Sequence, residues 1–398
     1  MQLILKAGRE KSLKRRHPWV FSGAVERVSG APRAGDTVEV ASSRGEALAL
    51  AAYSPQSQIR ARVWSFDPAN TIDAGFLRAR LEAALSMRER LPAARHANAL
   101  RLVHGESDGL PGLVVDRYAD VLVVQLLAAG VERWRAELVA ALGELTGCEA
   151  IYERSDAEVR TLEGLAPRVG WASGARGAER APGRCPIIEY GLNFRVDVEQ
   201  GQKTGFFLDQ RENRQRVRAL APGRSVLDCF CYTGGFAIAA LAGGACTVLG
   251  LESSAAALEV ARENVAANSL DASRIELRQA DVFRELRQLR DRGMRYDLVV
   301  LDPPKFAPTA AQARNAARAY KDVNLLALKL LSPGGLLATF SCSGGVPAGL
   351  FQSIVAGAAL DAGVDAQIIE RFGAAADHPV ALAFPEGEYL KGLLVIRS

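Results

Sequence analysis

The sequence predicts an α/β chain of three parts. These are a small N-terminal β-barrel over residues 1–70, a central α+β domain over 71–200, and a C-terminal domain over 201–398. The last is built on a doubly wound, mostly parallel sheet of seven strands. Three observations predict this. The 398 residues exceed one ordinary domain. The first seventy alternate apolar and polar positions between turns, whereas from about residue 205 strand-like runs alternate with helical patterns. With 49% hydrophobic and 24% charged residues, a core is available and a mostly disordered chain is excluded.

In the barrel, LILKA (3–7) and WVFSGAV (19–25) read as strands around a basic helical turn. GDTVEVASSRGEALALAAYSP (35–55) alternates around turns at Gly35-Asp36 and Arg44-Gly45. Asp67-Pro68 and Asn70 mark a boundary. Residues 72–91 carry apolar positions at helical spacing. LPGLVVDRY (110–118) and VLVVQLL (121–127) read as strands joined at Ala119-Asp120, followed by a helix over about 131–145 and the strand CEAIYERS (148–155). Residues 171–185 are Gly/Ala/Arg-rich without a period and read as a loop. IIEYGLNFRVDV (187–198) reads as a hairpin turning near Gly191.

Seven strand candidates follow: SVLDC, TVLGLE, RIELRQ, YDLVVLD, GLLATFSC, AQIIERF and LLVIR, with helical patterns between the first six. Ligands of such sheets sit at the carboxyl ends of the strands. There VLDCFCYTGGF (226–236) runs strand, acid, Gly-containing loop, helix. Gly234 and Gly235 are expected to let the backbone approach a ligand. The loop is not GxGxxG, which disfavours a nicotinamide dehydrogenase. Acids end three successive strands. Asp228 suits a cationic methionine portion, Glu252 two ribose hydroxyls, and Asp281 an adenine amino group. That set points to S-adenosylmethionine, with Phe230, Thr233 and Val282 beside those acids as further contacts.

The fourth strand ends in Asp302-Pro303-Pro304-Lys305, where two prolines stiffen the chain after the acid. The fifth ends in Ser341-Cys342-Ser343. As neighbours, these strands are expected to bring Asp302 and Cys342 to either side of the cofactor's methyl group. A thiolate adding to carbon 6 of cytosine activates carbon 5 toward methylation, and an acid near N3 stabilises the charge that builds there. Cys342 is the expected nucleophile and Asp302 the acid. Lys305 is the expected positive charge that favours the thiolate. The alternative for Cys342 is a small buried hydrophobe.

Residues 1–70 hold eleven Lys/Arg against six Asp/Glu, a net +5; the rest hold 38 against 39, a net −1. Lys11, Lys14, Arg15 and Arg16 are the heart of that basic excess and the expected RNA contacts, a solvated helix face being the even alternative. Six cysteines without CxxC read as reduced thiols, the start of the chain lacks an export signal, and a cytoplasmic protein is expected. No run reaches the roughly 18 apolar residues of a membrane span, and no His/Cys cluster suggests a metal.

The stretches GREKSLKRRHPWVFSGA (8–24), VHGESDGLPGLVVDRY (103–118), GQKTGFFLDQREN (201–213), LDCFCYTGGF (227–236), VVLDPPKFA (299–307), FSCSG (340–344) and DHPV–FPEGEYLKGL (377–393) run through nearly the whole chain. In them the sequence closely resembles the bacterial large-subunit ribosomal RNA cytosine-C5 methyltransferases of the PUA–methyltransferase type. The resemblance implies an N-terminal PUA RNA-binding domain and a Rossmann-like class I methyltransferase domain with a terminal β-hairpin. It implies a cytidine of 23S rRNA as substrate. It also implies that 203–211 closes over the cofactor, with Phe207, Asp209 and Gln210 near it. Related guanine-nitrogen methyltransferases share the DPP loop without the cysteine. They form a second reading, and a non-catalytic RNA-binding assembly protein forms a third. No membrane partner is expected; a homodimer stays open beside a monomer.

Overall fold

The computed structural model describes residues 1–173, 184–306 and 313–398. The basic N-terminal segment forms six strands: β1 (Gln2–Leu5), β2 (Trp19–Phe21), β3 (Val25–Ser29), β4 (Thr37–Ala41), β5 (Ala47–Tyr53) and β6 (Ile59–Ser65). Their order is β2-β6-β5-β4-β1-β3. Alternation decides which side chains point inward: Leu3, Leu5, Val38, Val40, Ala49, Ala51, Ala61 and Val63 make one buried cluster. The run WVFSGAV is not one strand, because the chain turns at Ser22–Ala24 between β2 and β3. The short helix Lys11–Lys14 is anchored by buried Leu13.

The next strands are β7 (Ala99–His104), β8 (Leu113–Tyr118), β9 (Val121–Leu126), β10 (Ala150–Ser155) and β11 (Arg168–Ser173), ordered β11-β10-β9-β8-β7. The helix Ala74–Glu89 starts where the Asp73 carboxylate accepts from the Phe76 amide, and Leu77 and Leu81 join the sheet in a shared core. The helix expected over 131–145 appears as Ala129–Arg133 and Arg135–Thr146. Strand β7, ALRLVH, was not distinguished in the sequence. The loop expected over 171–185 needs correction at both ends. Residues 171–173 belong to β11, which gains a ladder by pairing antiparallel with β10, and Cys185 opens the next strand. Residues 174–183 of that loop lie outside the described residues.

After the hairpin strands β12 (Cys185–Glu189) and β13 (Leu192–Val196), which turn at Gly191, come the seven strands of the large sheet. They are β14 (Ser225–Cys229), β15 (Thr247–Glu252), β16 (Ile275–Gln279), β17 (Tyr296–Leu301), β18 (Leu331–Ser341), β19 (Ala366–Gly373) and β20 (Lys391–Arg397). Their order is β16-β15-β14-β17-β18-β20-β19, all parallel except β20. Successive side chains of the central strands enter opposite layers. Leu227, Leu249, Val299 and Leu337 pack with the helices Val282–Asp291, Ala313–Leu330 and Ala348–Ala362. Val226, Val248, Leu298 and Ala338 pack with Arg211–Leu220 and Gly235–Ala242. This is the doubly wound α/β fold that the strand–helix alternation predicted. It places the strand order's reversal between β14 and β17, where such folds hold ligands.

The described residues divide into two compact units. The first holds residues 1–189, 196–208 and 376–387; the second holds 190–195, 209–375 and 388–398. The six- and five-stranded sheets belong to the first unit, and the seven-stranded sheet to the second. Segment 376–387, far along the chain, is held in the first unit by buried Arg88, which donates to the Asp377 carbonyl at 3.1 Å and pairs with Asp108 at 2.6 and 2.8 Å. No helix among the described residues is long and apolar enough to cross a membrane.

Candidate active site

The carboxyl ends of β14 and β15 share one knot of hydrogen bonds. Asp228 is 1% exposed. One of its oxygens accepts from the Ala237 amide, in the first turn of the following helix, at 2.8 Å; the other, Oδ1, is buried without a partner. Burial pushes this carboxyl well above the usual range, the Ala237 bond opposes the shift, and the charges of Asp302 and Glu252 add to it. Glu252 is clamped more fully. It accepts from the backbone of Tyr232 at 3.0 Å, Ser253 at 2.8 Å and Ser254 at 2.9 Å, so it ties the loop after β14 to the loop after β15. Asp281 is exposed and caps the helix Val282–Asp291, accepting from the Arg284 amide at 2.8 Å. Val282 behind it is buried in the core.

The loop 229–235 is strained in a way the glycines alone do not announce. Phe230 and Tyr232, both with large side chains, adopt φ of 62° and 50°, and Gly234 follows at 81°. At both glycines an added side chain would meet protein. A Cβ on Gly234 would lie 3.2 Å from Ala261 Cβ, and one on Gly235 would lie 3.1 Å from Arg214 Cδ. Their smallness therefore serves packing, and at Gly234 the left-handed backbone as well. Thr233 is buried, with its hydroxyl unpartnered and its carbonyl held by Asn264 at 3.0 Å.

An aromatic row lines the same edge of the sheet. Phe230, Phe283, Phe306 and Tyr320 follow one another at centroid spacings of 6.2, 6.2 and 4.9 Å. Tyr320 then reaches the end of β18. Its hydroxyl accepts from Ser341 Oγ at 2.9 Å and shares a bond with Ser343 Oγ at 3.0 Å. The residues on either side of Cys342 are thus fixed to one buried phenol. Register pairs Leu301 with Thr339, so Asp302 and Cys342 both leave the sheet at adjacent strand ends. Both lie within electrostatic range of Tyr320. Cys342 is half-buried, whereas Cys229 and Cys231 are buried and burial pushes their thiols up. Lys305 is exposed, and a second lysine, Lys391, lies close to Cys342 from β20.

Asp209 and Gln210 are buried in the second unit. Asp209 accepts from the Tyr389 hydroxyl at 2.6 Å, and Gln210 accepts from Asn213 at 2.6 Å while its own amide nitrogen is unpartnered. Phe207 belongs to the first unit, with the Lys203 ammonium over its ring at 4.6 Å. Residues before it are pinned there too: Thr204 donates to Asp116 at 2.6 Å and Arg154 to the Gly201 carbonyl at 2.9 Å. Tyr320 and Lys391 escaped the sequence reading. Tyr320 looks like any amphipathic-helix residue. Lys391 carries a usable signal, a cation set directly before the apolar run Gly392–Ile396. In the first unit Lys11, Lys14, Arg15 and Arg16 are all exposed; Lys14 pairs loosely with Glu46 at 3.6 Å, and Arg16 lies over Phe66.

Two family models match this chain. One, described as a PUA-like domain, matches residues 3–66. The other, described as an S-adenosylmethionine-dependent methyltransferase, matches residues 101–379. The chain belongs to the S-adenosylmethionine-dependent methyltransferase family. Among similar proteins are two named ribosomal RNA large subunit methyltransferase I, from Shigella boydii serotype 4 and from Escherichia coli strain SMS-3-5. Each is 50% identical over 392 residues, covering 98% of this chain and 98% of the relative. A Streptococcus mutans chain described as a SAM-dependent methyltransferase shares the fold, with a TM-score of 0.85 at 22% identity over all of both chains. The cofactor of this methyltransferase is S-adenosylmethionine. Its residues fit the group. Asp228 Oδ1, Thr233 Oγ1 and Gln210 Nε2 are buried polar atoms without protein partners, and a buried carboxylate suits a cationic ligand.

Proposed function

We propose that this methyltransferase modifies carbon 5 of a cytidine in 23S ribosomal RNA, with Cys342 as the nucleophile. The observation that carries the reading is the half-buried Cys342 at the carboxyl end of β18, held by Tyr320 through both neighbouring serines, with Asp302 at the end of the adjacent strand. Asp228, Glu252 and Asp281 hold the cofactor, with Phe230, Thr233, Gly234, Gly235 and Val282 shaping its pocket. Asp209 and Gln210 sit at its methionine side. S-adenosylmethionine supplies an electrophilic methyl group on a sulfonium. The Cys342 thiolate adds to carbon 6, which turns carbon 5 into an enamine carbon able to take that methyl. Asp302 stabilises the charge that builds at N3. Loss of the carbon-5 proton to a base re-forms the double bond as the carbon–sulfur bond breaks. The basic face of residues 1–70 binds RNA phosphates through Lys11, Lys14, Arg15 and Arg16.

The target base must leave its stack to reach the strand ends. RNA carrying 5-fluorocytidine at the target has no proton to lose from carbon 5. A protein–RNA adduct is therefore expected on a denaturing gel, dependent on S-adenosylmethionine and abolished in Cys342→Ala, while Cys229→Ala and Cys231→Ala still form it. If Cys342→Ala methylates RNA at a normal rate, the reading fails. Methylation of a guanine nitrogen, which needs no protein nucleophile, then replaces it.

A further inference from the structure

The antiparallel strand that joins β18 to β19 opens on a buried cation. Lys391, first residue of β20, stands opposite Ser341, the residue before Cys342. Its ammonium donates to the carbonyls of Ser343, the residue after Cys342, and of Val346, each at 2.8 Å. The side chain is 8% exposed. The cation is thus held against the chain just after Cys342, and its backbone pairs with the residue just before it. The next five residues of β20, GLLVI, are apolar, and a charge buried beside them is costly unless a partner repays it. Two carbonyls take two of its three donors and leave one, together with the field of a full charge, for a third acceptor.

We propose that Lys391 is the positioning residue that keeps Cys342 ionised, its desolvated ammonium stabilising the sulfur anion at the end of β18. This rests on Cys342 being the nucleophile. The proton of Cys342 goes to solvent and Lys391 keeps its own. Burial pulls the Lys391 pKa down, and the neighbouring thiolate pushes it back up, so each charge supports the other. The other titratable groups around the pair are Asp302 and Lys305 from the loop after β17, Tyr320 from the helix Ala313–Leu330, and Glu388 just before β20. Asp302 and Glu388 oppose an anion, and burial keeps the Tyr320 phenol neutral. Lys305 has the right sign but is exposed, where water and salt screen it. Lys391 is the buried positive charge of the set.

The test measures alkylation of Cys342 by iodoacetamide against pH, by peptide mass analysis of the full chain without RNA. Exposed Cys246 serves as internal reference. Lys391→Gln keeps a donor and removes the charge. Its Cys342 should react about tenfold or more slowly at neutral pH, with the whole curve moved to higher pH and Cys246 unchanged. Lys391→Arg should restore the curve, and Lys305→Gln should leave it within about threefold. An unchanged curve in Lys391→Gln overturns the proposal. If Lys391→Gln instead speeds alkylation at both cysteines, the strand end has opened and Lys391→Arg decides: a wild-type curve supports the charge role, and a displaced one overturns it. Because no RNA is present, failure here is separate from failure of the covalent mechanism, which the fluorocytidine adduct reports by itself.

Discussion

Asp228 combines deep burial with two like-charged neighbours, Asp302 and Glu252. Its folded pKa lies above its unfolded one, so the folded state binds more protons where the two differ. Its contribution to stability is complete below the ordinary carboxylate range and is lost as pH rises through the folded pKa. Asp228→Asn should therefore raise the melting temperature of the cofactor-free protein at about pH 8 and change it little at about pH 4. The same substitution should weaken S-adenosylmethionine binding, because the cation loses its counter-charge; calorimetry and thermal melts on one sample report both signs. Asp302, half-exposed at the neighbouring strand end, is proposed to act on the base instead. Asp302→Asn is expected to keep cofactor affinity while losing roughly 10²–10³ in turnover, the usual cost of removing a group aimed at developing charge. Normal turnover in single-turnover assays removes it from the mechanism.

The helix Val282–Asp291 gives a carboxylate two duties at once. Asp281 caps the helix through the Arg284 amide and is proposed to accept from adenine. The two separate by substitution. Asp281→Ala should cost about 0.5–2 kcal/mol of stability through the lost cap, whereas Asp281→Asn, a good cap residue, should keep it. Both should raise KM for the cofactor with kcat nearly intact, since an adenine bond is equally present in ground and transition states. A kcat defect alone in Asp281→Asn contradicts the assignment. The loop 229–235 works at the same scale. Its left-handed Phe230 and Tyr232 are held by the clamp from Tyr232 to Glu252, so strain in one loop is offset by a bond to the next strand.

Across the whole molecule the charge is uneven, with +5 in residues 1–70 and −1 in the remainder. RNA bound through that face releases counterions, so affinity should fall with salt by about 0.7 log units per log unit for each single-strand phosphate contact. Lys14, Arg15 and Arg16 are exposed, and the Lys14–Glu46 pair at 3.6 Å is a weak surface contact that does not withhold Lys14. Neutralising the three together should flatten the slope by about two units. A slope equal to wild type in filter binding leaves the patch as a solvated surface.

Local pattern determined much of this protein. Period-two runs, Gly/Pro turns and strand–helix alternation set out the seven strands of the large sheet, and acids at successive strand ends mark the proposed cofactor edge, because both signals lie within a few residues of chain. Tertiary structure alone decided the rest. Strands β7 and β11 form where a partner strand supplies their ladder. Gly234 and Gly235 are small because Ala261 and Arg214 crowd them. The surroundings of Cys342 come from Tyr320, twenty-two residues earlier, and Lys391, forty-nine later, brought together by the helix that packs on the sheet and the antiparallel strand β20. No local window spans those distances. Burial, which shields Lys391 from the water that still screens exposed Lys305, exists only once the chain has folded.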